Sequence, residues 1–407
     1  MSLNHSPKVV TDGLVFYYDM SNTQKSFQGP PTTNISAGTG IGTYLNTPSD
    51  VTSSLTVTTE SYRGQPVYKQ VLTPVTATGV SYLTNAGNPG IGTVTGGGGG
   101  AAARYTGHSI FFKPAVGRSG LNSSTPIYTH YSNIGGWQSS GNYDDMGDGW
   151  YRAHVIFYSA GGGSDGKYWA INPAGATLNI PITVYWAAPF KEDRNDSTFV
   201  SPYTNNTRSN TQAIFDLTNN STITASSLTY ASNNTFSFNG SSNFMSLSSD
   251  VVFKTTGGHT VENWFKLDAV VSGNLYNFIG ASSIDYHSWY WCVFQSRLAI
   301  WNVSPGGWYY GSTDIQSNVW YQAVMVTNNA GTGIQFYLNG VAEGGTHASY
   351  SFNSSYSGLK IGFLGRGDAP NARYMYGLMP VTKVYNRALT AAEVKQNFNA
   401  LRSRYGI

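Results

Sequence analysis

Cysteine is nearly absent: Cys292 is the one cysteine in 407 residues, so neither an intrachain disulfide framework nor a cysteine-rich metal site can form. Charge is scarce too, with Asp, Glu, Lys and Arg at 11% against about 25% in a usual soluble domain. A net charge of +3 over this length makes no basic stripe, so nucleic acid and an anionic membrane are not expected partners. No apolar run approaches the roughly 18 residues of a membrane-spanning helix, and the opening MSLNHSPKVV has no apolar leader region. The expectation is a soluble chain, without membrane insertion, synthesised in a reducing compartment.

Aromatic residues and glycine are in surplus. Phe, Tyr and Trp reach 14%, enough to build cores, which separates the sequence from disordered chains. The 47 glycines follow no triplet period, which excludes collagen. The length exceeds one ordinary domain of roughly 100–200 residues, so two domains are expected.

Nearly every apolar segment alternates, as in Leu14 to Tyr18, Thr235 to Phe238, Ala323 to Val326 and Gly333 to Leu338, each soon followed by Gly, Asn, Asp or Ser. Short β-branched and aromatic runs between turn signals describe an all-β protein of antiparallel sandwiches. Asn339-Gly340 is a hairpin turn signal, because both central positions of a type I′ turn need positive φ. One short helix is expected at the C-terminus: Thr390 and Glu393 form a capping box, Val394, Phe398 and Leu401 share a face, and Arg402 and Arg404 complement the dipole. Residues 28–50 and 85–104, rich in Gly, Pro, Thr and Asn, read as long loops. The polar stretch from Glu192 to Asn210 reads as a domain linker.

Several segments carry a family resemblance. They are Thr235-Phe236-Ser237-Phe238-Asn239-Gly240, Thr260-Val261-Glu262-Asn263-Trp264-Phe265-Lys266, Trp320 to Val326 with Ile334 to Gly340, Leu359 to Gly362, and Val384-Tyr385-Asn386-Arg387-Ala388-Leu389-Thr390. In this order they resemble a concanavalin A-like (laminin-G-like) jelly-roll domain of tailed-phage virion proteins, over residues 210–407. Gly13-Leu14-Val15-Phe16-Tyr17-Tyr18-Asp19 resembles the first strand of the same domain, yet its usual sequel, Asp216-Leu217-Thr218-Asn219-Asn220, lies almost two hundred residues later. The resemblance therefore implies a discontinuous sandwich, residues 1–27 plus 206–407, interrupted by a second one at 28–205, with the first strand pairing near 376–386. The insert resembles a carbohydrate-binding-module jelly roll in Thr106 to Lys113, Gly147 to Ala153, Trp186 to Phe190 and Phe199 to Tyr203.

Catalytic parts are missing. Glycoside hydrolysis needs two carboxylates about 5–9.5 Å apart, and the chain lacks the alternating acidic triplet that supplies them in catalytic members of this fold. Glu262 is the nearest candidate, and Lys266 four residues on makes it read as a structural partner. A P-loop, HExxH and CxxC are absent, and no G-x-S-x-G stands on a strand-to-helix turn as a nucleophile elbow would. No cofactor is expected beyond calcium, for which Asp19 with Asn22, or Asp144, Asp145 and Asp148, offer hard oxygen ligands; the Asp-Gly bend is equally turn chemistry.

Aromatic residues in polar, Gly-rich surroundings are the stronger lead, because sugars stack their C–H faces on exposed rings. Trp308, Tyr309 and Tyr310, Trp137, and Tyr286 with Trp289 read as such loop rings, equally suited to a protein interface, while Trp264, Trp301 and Trp320 read as core. The resemblance implies a non-enzymatic phage virion surface protein: a tail or head fibre component or capsid decoration protein, synthesised in the host cytoplasm. Its partners would be other virion proteins, copies of itself in a homo-oligomer such as a trimer, and host cell-surface polysaccharide. Two alternatives stay open, a glycan depolymerase of the same fold and a purely structural cement protein.

Overall fold

The computed structural model describes residues 7–23, 25–33, 41–45, 51–75, 81–85, 94–95, 104–114, 127–131, 136–139, 142–159, 164–165, 167–171, 179, 181–194, 200–231, 235–248, 258–281, 290–302, 307–328, 333–347, 359–361, 363–364 and 373–407. The chain divides into two compact units, residues 1–31 with 209–407, and residues 32–208.

The discontinuous unit is an antiparallel jelly-roll sandwich. One sheet runs Thr229–Ala231, Thr235–Asn239, Tyr376–Tyr385, Thr260–Leu267, Trp320–Thr327, Ile334–Leu338, Val341–His347, and Leu14–Asp19 also pairs with Tyr376–Tyr385. The other runs Ile223–Ser226, Phe244–Leu247, Leu359–Ile361, Leu275–Ala281, Tyr290–Phe294, Arg297–Asn302, Gly307–Asp314. Alternation decides which side chains meet between them. Val261, Phe265, Met325 and Phe336 of the first sheet pack with Phe278, Trp291, Val293 and Ile300 of the second in one buried cluster. Asn339 and Gly340 both take positive φ, 52° and 73°, at the hairpin between Ile334–Leu338 and Val341–His347.

Residues of the opposite parity in the first sheet face outward, and the helix Ala391–Tyr405 closes on them. Phe398 and Leu401 pack on Trp264 and Val381, and Val394 joins Val324, Tyr337 and Tyr385. The helix begins in the capping box of Thr390 and Glu393 and ends at Gly406, whose φ of 70° suits a residue without a β-carbon. Among the described residues no helix is long and apolar enough to cross a membrane.

The second unit has a six-stranded antiparallel sheet, Asn142–Gly147, Trp150–Ser159, Arg104–Pro114, Ile182–Arg194, Gln65–Pro74, Val51–Tyr62, and a five-stranded one, Gly136–Ser139, Ile127–Tyr131, Lys167–Ile171, Ser81–Asn85, Ile41–Leu45. Its core includes Leu72, Ile110, Phe112, Val184 and Trp186, with the Trp186 indole donating to Gln70 Oε1 at 2.8 Å.

Two loop expectations are corrected here. Thr32–Thr33 and Ile41–Leu45, inside the stretch 28–50, are strands, because their hydrogen bonds come from distant partners that local composition does not reveal. Glu192 is no linker residue: the strand Ile182–Arg194 passes through it, and its buried carboxylate accepts from Ser201 N at 2.7 Å and Thr32 Oγ1 at 2.8 Å. Arg208, also buried, donates to the carbonyls of Pro202 and Tyr203. Polarity there signals satisfied backbone groups rather than exposure. Within 85–104, residues 86–93 and 96–103 lie outside the described residues.

Candidate functional site

The helix occupies the outer face of the first sheet, and among the described residues the outer face of the seven-stranded sheet carries a cluster of aromatic rings. Its residues follow from strand parity. Trp291 and Ile300 point into the core, so Cys292, Phe294, Ala299 and Trp301 point out. On the neighbouring strand Gly307–Asp314, Trp308 lies opposite Trp301 and Tyr310 opposite Ala299.

Four half-buried rings gather there. Phe294 and Trp308 stack at 4.4 Å with 30° between planes, Trp301 meets Trp308 edge-on at 5.4 Å, and Tyr310 stacks on Trp308 at 6.1 Å. Leu275, Cys292 and Ala299 form a buried floor beneath them. The strand carrying the rings is held at its far end by Glu343, whose carboxylate accepts from the backbone N–H groups of Ser312 and Thr313, both at 2.9 Å. Arg297 Nε pairs with Asp314 Oδ1 at 3.0 Å at the exposed margin. Burial, with a smaller contribution from Cys292, raises the Tyr310 phenol, which stays neutral and able to donate. Burial also pushes the Cys292 thiol well up, against a weaker opposing effect of Arg373, so it is no nucleophile.

This geometry corrects several sequence expectations. Trp308, Tyr309 and Tyr310 are strand residues, and strand parity splits them: Trp308 and Tyr310 face outward while Tyr309 packs against the core. Trp301 belongs to the outer face, not the core. Trp320 is half-buried, with Tyr405 at 4.6 Å and Lys266 Nζ 5.6 Å above its ring. Trp137 sits on the strand Gly136–Ser139 of the other unit, opposite His130. Tyr286 and Trp289 lie outside the described residues. Sequence reasoning missed Phe294, whose place two residues after Cys292 in an alternating strand was the available signal.

It also missed Asn277. This residue is wholly buried, and neither its amide oxygen nor its amide nitrogen has a hydrogen-bond partner in the protein. Leaving such a group unsatisfied costs about 1–3 kcal/mol.

The calcium candidates other than Asp148 hold polar contacts within the protein. Asp19 is buried, its Oδ2 accepting from Arg404 at 2.7 Å and Tyr17 OH at 3.0 Å and its Oδ1 from Ser21 N, while Asn22 Oδ1 accepts from Lys25 N. Asp144 lies 3.4 Å from His154, whose hydrogen bond is the main reason its carboxyl is held low. Asp145 neighbours Asp144 on a strand, so the two point to opposite faces, and it accepts from Gly147 N. Asp148 occupies the turn at φ 52°. Among the described residues, no three His, Cys, Asp or Glu side chains gather as a metal site.

Glu262 faces the helix from the centre of the first sheet. Its Oε1 accepts from Lys383 Nζ at 2.8 Å, Trp264 Nε1 at 3.0 Å and Gln322 Nε2 at 3.0 Å, and its Oε2 from Asn397 Nδ2 at 2.7 Å. Both Glu262 and Lys383 are fully buried. The partner is thus the register neighbour Lys383, not Lys266.

A family model described as the concanavalin A-like lectin/glucanases superfamily matches residues 238–395. Among solved structures, the chain is similar to a botulinum neurotoxin type C structure described as showing cell entry dependent on two ganglioside molecules, at 14% identity, TM-score 0.39, over 47% of this chain and 50% of that one. It is similar to the binding domain of botulinum neurotoxin serotype D at 14% identity, TM-score 0.37, over 46% and 49%. The chain thus spans about half the length of these neurotoxin chains. Domain 4 of AbnA, an extracellular GH43 arabinanase from Geobacillus stearothermophilus solved with arabinotriose, is similar at 19% identity, TM-score 0.35, over 45% of this chain and 91% of that one. A comparison with curated proteins gave no match.

Proposed function

We propose that this jelly-roll protein binds glycan without cleaving it, through the outer face of the seven-stranded sheet. The ring cluster of Phe294, Trp301, Trp308 and Tyr310 carries the reading: half-buried rings on a sheet face, over a floor of apolar side chains, suit the apolar C–H faces of a sugar. Tyr OH and Trp N–H groups are the kind of polar handle that takes hydroxyls. The binding role, rather than hydrolysis, is supported by the carboxylate nearest to a catalytic candidate: Glu262 is sealed beneath the helix with four donors on its two oxygens. A buried, saturated carboxylate is neither a nucleophile nor an acid that can reach a glycosidic oxygen. The finer reading is a phage virion surface protein, a fibre or capsid decoration component whose target is a host cell-surface polysaccharide; it rests on the motif resemblance along residues 210–407 and on the charge-poor, aromatic-rich composition.

A glycan array followed by calorimetric titration tests the site. Trp308→Ala is expected to weaken the strongest interaction at least about tenfold, which is about 1.4 kcal/mol, in keeping with the loss of one stacked ring. An array silent for the wild-type protein would discard glycan binding in favour of a protein-docking face. Release of new reducing ends from a bound polysaccharide, with turnover, would make the protein a depolymerase instead.

A further inference from the structure

We propose that Asn277 is the polar anchor of this site, its carboxamide, wholly buried in the unliganded protein, being uncovered as the neighbouring side chains move aside and then bonding two neighbouring hydroxyl groups on one ring of a neutral saccharide; the proposal rests on the glycan reading above. Strand parity places it. Tyr276 and Phe278 pack into the core, whereas Leu275 belongs to the floor of the aromatic face, and Asn277 has the parity of Leu275. It lies directly opposite Cys292, which lies opposite Ala299, which lies opposite Tyr310. The four make one row across four strands, with the amide at one end, a phenol at the other and two small buried side chains between them. Phe294 sits diagonally from Asn277, two residues beyond Cys292, within reach of a long side chain.

The rest of the unit shows how unusual the bare amide is. The other buried, described asparagines of this unit are bonded at both ends. Asn243 accepts from Asn239 N and donates to Ser227 O. Asn263 accepts from Trp291 Nε1 and donates to Thr382 Oγ1. Asn397 accepts from Val10 N and donates to Glu262 and Tyr385. In Asn277 alone among them are both ends without a protein partner. A carboxamide has an acceptor and a donor in one plane, so a vicinal diol can donate to Oδ1 with one hydroxyl and accept from Nδ2 with the other. A site built to bond a substrate hydroxyl rejects analogues lacking it strongly, because its own buried group is then left unpaired. The amide is uncharged and Cys292 and Ala299 beside it are apolar, so the row itself takes hydroxyl groups rather than a carboxylate, the charge of Arg373 being the smaller influence on Cys292.

The test uses Asn277→Leu, which keeps the shape and removes the polarity. Wild type, Asn277→Leu and Trp308→Ala would be titrated with xylohexaose, cellohexaose, maltohexaose, arabinohexaose and mannohexaose, and their Tm values compared. Expected are binding of at least one hexaose by wild type, an at least tenfold loss in Asn277→Leu, and a Tm in that variant equal to or above wild type, since an unsatisfied group has been removed. Binding unchanged in Asn277→Leu but lost in Trp308→Ala would overturn the anchor and leave the glycan reading standing. No hexaose binding by wild type would remove both. A lowered Tm in Asn277→Leu would overturn the anchor by assigning the amide a structural role. A crystal structure of wild type with its best hexaose decides independently of folding: sugar hydroxyls on Oδ1 and Nδ2 support the anchor, and a buried water satisfying both atoms in the complex overturns it.

Discussion

Glu262 illustrates how a buried charge is kept in this protein. Removing one partner of such a pair leaves the other uncompensated, at a cost of about 3–5 kcal/mol. Glu262→Ala and Lys383→Met are each expected to lose stability in that range in urea denaturation, and the double substitution Glu262→Leu with Lys383→Met to lose clearly less than the sum of the two. That Glu262 shares a face with Trp264 was legible, because alternation is a local property. Its partner was not: Lys383 lies 121 residues away in sequence and meets Glu262 through strand register. Lys266, the partner suggested by spacing, instead reaches over the Trp320 ring.

At the scale of elements, the C-terminal helix was readable in full, since a capping box, an apolar stripe and basic residues at the last turn are all short-range signals. Its cap also makes a pH prediction. Hydrogen bonds from Arg387 are the main reason that Glu393, ordinarily near 4.5, is lowered to about 2. A depressed folded-state pKa means that the ionised carboxylate contributes stability which is fully present above about pH 4.5 and is lost as the pH falls toward 2. Unfolding midpoints measured across that window should fall with pH, and Glu393→Gln should flatten that dependence while lowering the plateau above it. The pair is partly exposed, so solvent screening keeps the effect small. The strand Gly307–Asp314 behaved in the opposite way. Three consecutive rings after two glycines show no alternation, and they are made a strand by hydrogen bonding to Arg297–Asn302.

For the whole molecule, the two units raise the question of how a chain leaves a sandwich after its first strand and returns. Phe27 bridges Ile214, and Thr32 is the register partner of Arg208, so the two crossings lie side by side. Asp216 then accepts from Tyr17 N at 3.0 Å, tying the returning chain to the first strand. Ends this close need only a short joint. Replacing residues 32–208 with a short Gly-Ser linker between Pro31 and Ser209 is therefore expected to leave a folded, cooperatively unfolding protein that retains the ring cluster and its glycan affinity. Circular dichroism and the same titrations check this, and an unfolded product would show that the discontinuous unit depends on the other.

The sequence by itself determined the fold class, the helix and the parity of those strands that alternate, because period-two alternation, turn residues and caps act between neighbours in the chain. Only the tertiary structure decided which outward face the helix covers and which aromatic residues share the outer face of the other sheet. The same Trp can lie in a core or on a surface according to what packs against its sheet, and that depends on contacts between residues far apart in sequence. Helix packing sealed the face that carries Glu262, and strand register brought Trp301, Trp308 and the unpaired amide of Asn277 to one face of the other sheet.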